Sequence, residues 1–289
     1  MILILRCQSF HGHQTKLYGW GSDISYQRIL SRPWRADKFL SNVLDRMASG
    51  RGSPAQIIQH SEDLRSAFRL LLDTRERNLR AAKHRFESYQ RPLGRTVRFF
   101  PIMIKLMSRV WNERRDARAR DWLAFIAETP QHALQLAMLA DAADEGMALT
   151  RFCDKEDLDI AALSGRIASF MDRVVHLFGE KRGCLTAPGY TQLMLKTLQH
   201  PIVWGVGDRS QSTRPPSPRD INACLGRMLA WLHLAKATID AEFPDWELGQ
   251  PFRIFDVSTN LGNTSSTVPQ EHVSRLARVF NVDPTQLAA

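Results

Sequence analysis

Cys7, His11 and His13 bring metal-ligand side chains together at C-x3-H-x-H spacing. A structural zinc ion takes four protein ligands. No second pair stands near these three, so they are read as sequence neighbours rather than as a metal site. Asp141, Asp144 and Glu145 fall within about one helical turn, and Asp141 and Glu145 share a helix face, where two carboxylates can hold a divalent cation. Both also flank an apolar stripe, which favours a solvated acidic face. Asp245, Glu247 and Asp256 are loop carboxylates of the kind that serve phosphoryl transfer once clustered around metal, but nothing in their spacing makes them converge. The run from Asp154 to Asp159 fits a helix start favoured by the macrodipole. No G-x-S-x-G, Walker loop, G-x-G-x-x-G or H-E-x-x-H occurs, and His84, His132, His176, His200, His233 and His272 are isolated from any nucleophile. The expectation is a chain without catalytic residues, metal or cofactor.

Arginine is the residue type with a pattern. Residues 75–98 hold eight basic against two acidic residues, a net +6, and residues 105–120 hold six against two, a net +4. Together they exceed the +9 of the whole chain, whereas residues 121–180 carry eleven acidic against four basic residues. Charge concentrated in this way is the footprint expected of phosphate-backbone contact. Arginine, which grips phosphate bidentately and stacks on bases, predominates over lysine in it. The candidate contact residues are Arg75, Arg77, Arg80, Arg85, Arg114, Arg115 and Arg118. Phe86, Tyr89, Phe99, Phe100 and Trp111 are interleaved with them; each either stacks on a base or fills an amphipathic helix core, the commoner role. The basic face has a second available role, docking on the acidic 121–180 half.

With 289 residues, 44% of them hydrophobic and 24% charged, the chain can build a sizeable core. The four cysteines, Cys7, Cys153, Cys184 and Cys224, are far apart and form no CxxC pair, so a reducing, intracellular compartment is expected, with the nucleus as the location. The opening Met-Ile-Leu-Ile-Leu run is too short for a signal or a span, and no stretch approaches 18 apolar residues, so no membrane partner is expected.

The elements that must position these residues are helical. Residues 1–36 read as an irregular N-terminal segment with a short strand at 2–6. A helix from Ala36 to Met47 opens a basic helical region, 37–127. Ser53 caps a helix with Pro54 at its first position; the periodic stretch 54–90 stops at Pro92-Leu93-Gly94. Helices then cover 96–113, interrupted near Pro101, and Ala117–Ala127. An acidic helical region, 128–204, contains helices from Gln131 to Thr150, from Asp157 or Asp159 to about 178, and from Tyr190 to His200. Residues 205–217, rich in Gly, Pro and Ser, read as a linker. A C-terminal helical region, 218–289, follows, with a helix from Pro218 to Phe243, a short strand at 252–257 and a helix from Gln270 to Phe280. The helix start at Asp283-Pro284 stops within a turn, as in a fragment of a longer ancestor. The predicted fold is mainly α, a multi-helix array.

Two stretches resemble hAT-type transposases and host proteins derived from them. Leu134-Gln135-Leu136-Ala137-Met138-Leu139-Ala140-Asp141, continuing to Phe178, resembles that family's "LAD" helix and the amphipathic helix after it. Ala241-Glu242-Phe243-Pro244-Asp245-Trp246, then Phe252 through Phe255-Asp256, then Val273 through Phe280, is similar to its "RFPD…F…FDP…L…F" pattern. The resemblance implies the helical insertion plus a remnant of an RNase H-like core. The family's zinc-finger module is absent, no aspartates match its first two catalytic carboxylates, and its dimerisation tail would lie beyond Ala289. The combined expectation is a non-catalytic protein of mobile-element origin that binds nucleic acid, DNA in preference, through an Arg-rich helical face. The alternatives are a helical scaffold for a protein partner or self-association, and a decayed metal-dependent transposase using Asp141, Asp245, Glu247 or Asp256.

Overall fold

A computed structural model describes residues 32–49, 52–72, 90–153, 160–205, 210–242 and 270–283. Twelve α-helices follow one another among the described residues: α1 (Arg32–Ala36), α2 (Lys38–Leu44), α3 (Pro54–Gln59), α4 (Glu62–Leu72), α5 (Gln90–Arg98), α6 (Phe100–Arg114), α7 (Ala117–Glu128), α8 (Pro130–Cys153), α9 (Ile160–Phe178), α10 (Tyr190–Gln199), α11 (Pro218–Glu242) and α12 (Gln270–Phe280). Strand is confined, among the same residues, to one antiparallel pair, β1 (Val203–Trp204) and β2 (Gln211–Ser212), in register Val203–Ser212 and Trp204–Gln211. The mainly α multi-helix array expected from the sequence is what the chain forms. The strands expected at 2–6 and 252–257 lie outside the described residues.

Helix α8 organises the fold because much of it has no polar face. His132 through Ala143 are all buried, and an all-buried helix must be surrounded by others. Helices α2, α5, α7, α9, α10 and α11 all pack on it. Aromatic contacts lock this shell. Trp231 of α11 lies 6.1 Å from Trp34 of α1 and 5.9 Å, edge to face, from Phe178 of α9. One contiguous apolar core takes residues from Trp34 to Ile239. It therefore draws on both sides of the expected 205–217 linker, and β2 lies inside that stretch. No helix among the described residues is long and apolar enough to cross a membrane.

Helix boundaries follow side-chain chemistry. The expected Ala36–Met47 helix breaks at Asp37, whose carboxylate accepts from the N–H groups of Phe39 and Leu40 at 2.8 and 2.9 Å and so caps α2. Ser53 caps α3 with Pro54 next, as the sequence predicts. The long periodic stretch after it turns at His60 and resumes as α4, and residues 73–89 lie outside the description. Pro92-Leu93-Gly94, expected as a stop, instead lies within α5. Pro92 occupies the first turn, where its missing N–H costs nothing. Gly94 is there because the Tyr190 ring crosses it; a Cβ at 94 would stand 2.4 Å from Tyr190 Oη.

Candidate functional site

Of the seven candidate phosphate-binding arginines, Arg75, Arg77, Arg80 and Arg85 lie outside the described residues. The other three meet at the corner between α6 and α7. Helix α6 ends at Arg115, whose backbone adopts the left-handed conformation, φ 53°, and whose N–H donates to the Trp111 carbonyl at 3.0 Å. Asp116 then caps α7, accepting from the Arg118 N–H at 2.8 Å. The corner exposes Arg114, Arg115 and Arg118 together, with Arg109 and Arg120 beside them.

Most of these cations have a nearby carboxylate. Arg118 chelates Asp116 through two hydrogen bonds, 3.1 and 2.7 Å, and that hydrogen bonding holds the Asp116 carboxyl below the usual range. Arg114 reaches Asp63 of α4 at 3.2 Å and Ser61 at 3.0 Å, Arg109 pairs with Glu113 at 2.8 Å, and Arg120 pairs with Asp121 at 3.0 Å. Arg115 has no carboxylate partner among the described residues. The exposed pairs of Arg109, Arg114 and Arg120 contribute about 0–1 kcal/mol each, so a phosphate can displace those carboxylates at little cost, while the largely covered Asp116 holds Arg118 more firmly. Of the interleaved aromatics, Phe86 and Tyr89 lie outside the described residues, and the other three belong to the interior instead. Phe100 is fully buried against Trp122, Phe99 lies edge-on to Phe68, and Trp111 packs partly buried against the core.

The acidic cluster is not the solvated face expected of it. Asp141 is only 8% exposed, and both of its oxygens are engaged: Oδ1 accepts from the Tyr190 N–H at 2.7 Å, and Oδ2 from the Thr191 N–H and hydroxyl at 2.9 and 2.6 Å. It caps α10 from another helix, because Gly189 at the N-cap has no side chain to do so. Burial pushes its carboxyl above the ordinary value, against the lowering effect of those hydrogen bonds. Glu145 is bound to Arg173 at 2.6 Å. Arg98 lies over the Tyr190 ring, 5.7 Å from its centroid. With Asp144 these residues line a polar cavity of about 460 Å³. Arg98 of the basic stretch thus lines the same cavity as Asp141, Asp144 and Glu145 of the acidic half. No cluster of three or more metal-ligating groups occurs among the described residues, and Asp245, Glu247, Asp256, Cys7, His11 and His13 lie outside them.

His132 is a satisfied core histidine. Its Nδ1 lies 2.7 Å from the Phe125 carbonyl, and its ring stacks on Phe125 at 3.6 Å. Burial lowers its pKa, so the folded protein resists a proton that the unfolded chain accepts near pH 6.5. Stability contributed by neutral His132 is thus present above that pH and is lost as pH falls. Urea titrations between pH 7.5 and 5 should show stability declining on acidification, less steeply in His132→Phe. Equal slopes in the two proteins would exclude this histidine as the cause. Burial also pushes the Cys184 and Cys224 thiols up to about 12, which makes them poor nucleophiles. Comparison of the chain with known protein families, with curated proteins and with solved structures finds no match.

Proposed function

We propose that this protein is a non-catalytic nucleic-acid-binding module that holds a phosphate backbone, of DNA in preference, at the α6–α7 corner. The observation that carries the reading is the fan of Arg109, Arg114, Arg115, Arg118 and Arg120, all exposed around one helix–helix turn. The carboxylates competing for Arg109, Arg114 and Arg120 are more than half exposed, where ion pairs are weak and exchange readily, whereas Asp116 beside Arg118 is largely covered. The sequence adds Arg75, Arg77, Arg80 and Arg85 to the same basic region. A mobile-element origin and a nuclear location belong to this proposal and rest on the sequence alone.

Salt dependence tests it. Each phosphate neutralised contributes about −0.9 to the slope of log affinity against log salt. Changing Arg114, Arg115 and Arg118 to Glu together should flatten the slope for a short DNA duplex by roughly 2–3 and weaken binding at every salt concentration. A triple variant that keeps the wild-type slope and affinity would remove the corner from the interface.

A further inference from the structure

The sequence places Val175 on the apolar stripe of α9 and Leu229 on that of α11, yet neither is covered. Val175 is 47% exposed and Leu229 39%. They face a groove between the two helices with a volume of about 990 Å³, with Leu225, Leu232 and Phe178 among its lining residues and all three buried. Leu225 and Leu232 of α11 also belong to the apolar core, beside Cys224, Met228, Trp231, Ala235 and Ile239, so the groove is the outer edge of that packing, with Leu229 and Val175 as its exposed apolar residues. The apolar face of α11 thus extends past the core to an edge, at Leu229, that is left exposed.

Gly226 sets the shape of the groove. It lies in the middle of the 25-residue α11 and lines the groove. A Cβ built on it would meet nothing within 4 Å. Glycine inside a helix is unfavourable relative to alanine. Gly94, inside α5, offsets that preference by admitting a neighbouring side chain, since a Cβ there would stand 2.4 Å from Tyr190 Oη. No atom of the described protein takes the space that Gly226 leaves. A bare backbone beside exposed leucine and valine is the surface on which a second helix can approach closely.

The charge around the groove identifies the kind of helix. Lys181, Arg182 and Lys236 are exposed on its rim, with His176 and His233, against Asp172 and Glu180. Arg182 donates to the neutral amide oxygen of Asn222 at 3.0 Å, so its charge is not cancelled by that contact. From Asn222 to Lys236 the groove runs about 21 Å at 1.5 Å per residue, the length of a four-turn helix. We propose that this groove binds an amphipathic helix of a partner protein. The helix seats a large apolar residue beside Val175 and Leu229, crosses at Gly226 with a small residue, and presents Glu or Asp to Lys181, Arg182 and Lys236. The site is remote in sequence from the arginine corner and does not depend on nucleic-acid binding.

The test uses the full chain and two labelled 16-residue peptides with the same Leu/Ala face, one flanked by Glu and one by Lys, measured by fluorescence anisotropy. The Glu-flanked peptide should bind at least tenfold more tightly, and Lys181→Glu with Lys236→Glu should invert the preference. Gly226→Leu should lose at least tenfold in affinity without a lower Tm, because its side chain projects into open space. No binding of either peptide, equal binding of both, or wild-type affinity in Gly226→Leu would each overturn the proposal. So would sedimentation showing self-association that Gly226→Leu abolishes, which would make a second copy the occupant. Loss of DNA affinity in the Lys181/Lys236 variant without any peptide binding would also overturn it, by assigning the rim to phosphate.

Discussion

Replacing Asp141 with alanine is expected to lower the unfolding free energy by about 3 kcal/mol, a large effect for one side chain. Three donors converge on it, from the Tyr190 and Thr191 N–H groups and the Thr191 hydroxyl. Hydrogen bonds to a charged acceptor contribute about 1.5–3 kcal/mol each, net of the water they replace, and a buried donor left without an acceptor costs about 1–3 kcal/mol. Removing the carboxylate also removes its own burial penalty, visible in its raised pKa. Water entering from the adjoining cavity can serve Tyr190, but Thr191 is fully buried. The net loss therefore falls well below the sum of the parts. Asp141→Asn should lie between wild type and Ala, since its carbonyl oxygen still accepts while its amide group opposes a donor. Chemical denaturation of the three proteins would show the order. An Ala variant as stable as wild type would mean that α10 holds its first turn without this cap.

A second large effect is expected at Gly94, with a change of sign that identifies its cause. A methyl group there would stand 2.4 Å from Tyr190 Oη and 2.6 Å from Cζ. Overpacking of this kind costs about 1–3 kcal/mol, so Gly94→Ala should destabilise the protein by roughly 2 kcal/mol despite the better helix propensity of alanine. In a Tyr190→Ala background the obstacle is gone, and the same substitution should become neutral or stabilising by up to about 1 kcal/mol. The double-mutant cycle reads this directly. If Gly94→Ala costs the same in both backgrounds, the contact with Tyr190 is not what requires glycine.

The elements themselves were largely legible. The caps at Ser53 and the breaks at Pro101, Pro130 and Pro201 lie close to helix ends because they act locally, through φ, a missing N–H or a side-chain oxygen within three residues. Pro92-Leu93-Gly94 signals a turn in isolation, whereas a tyrosine 96 positions away in sequence is what calls for the glycine. Asp141 is a second case of the same kind. Its acidic neighbours and i,i+4 spacing suggested a solvated or metal-binding face, while its partners are the first turn of a helix some fifty residues later. One signal was available: Pro188-Gly189-Tyr190 starts a helix with no side chain able to cap it, so the cap had to come from elsewhere.

Charge shows the same division. A helical chain with arginine concentrated in two stretches is legible residue by residue, because periodicity and composition are local properties that folding does not change. Which arginines share a corner, which carboxylates stand beside them, and which edge of α9 and α11 is left uncovered follow from packing alone. Those outcomes depend on contacts between residues far apart in sequence, where a single close approach, such as Tyr190 over Gly94 or a carboxylate beneath a bare helix end, selects one packing among many of equal hydrophobic pattern.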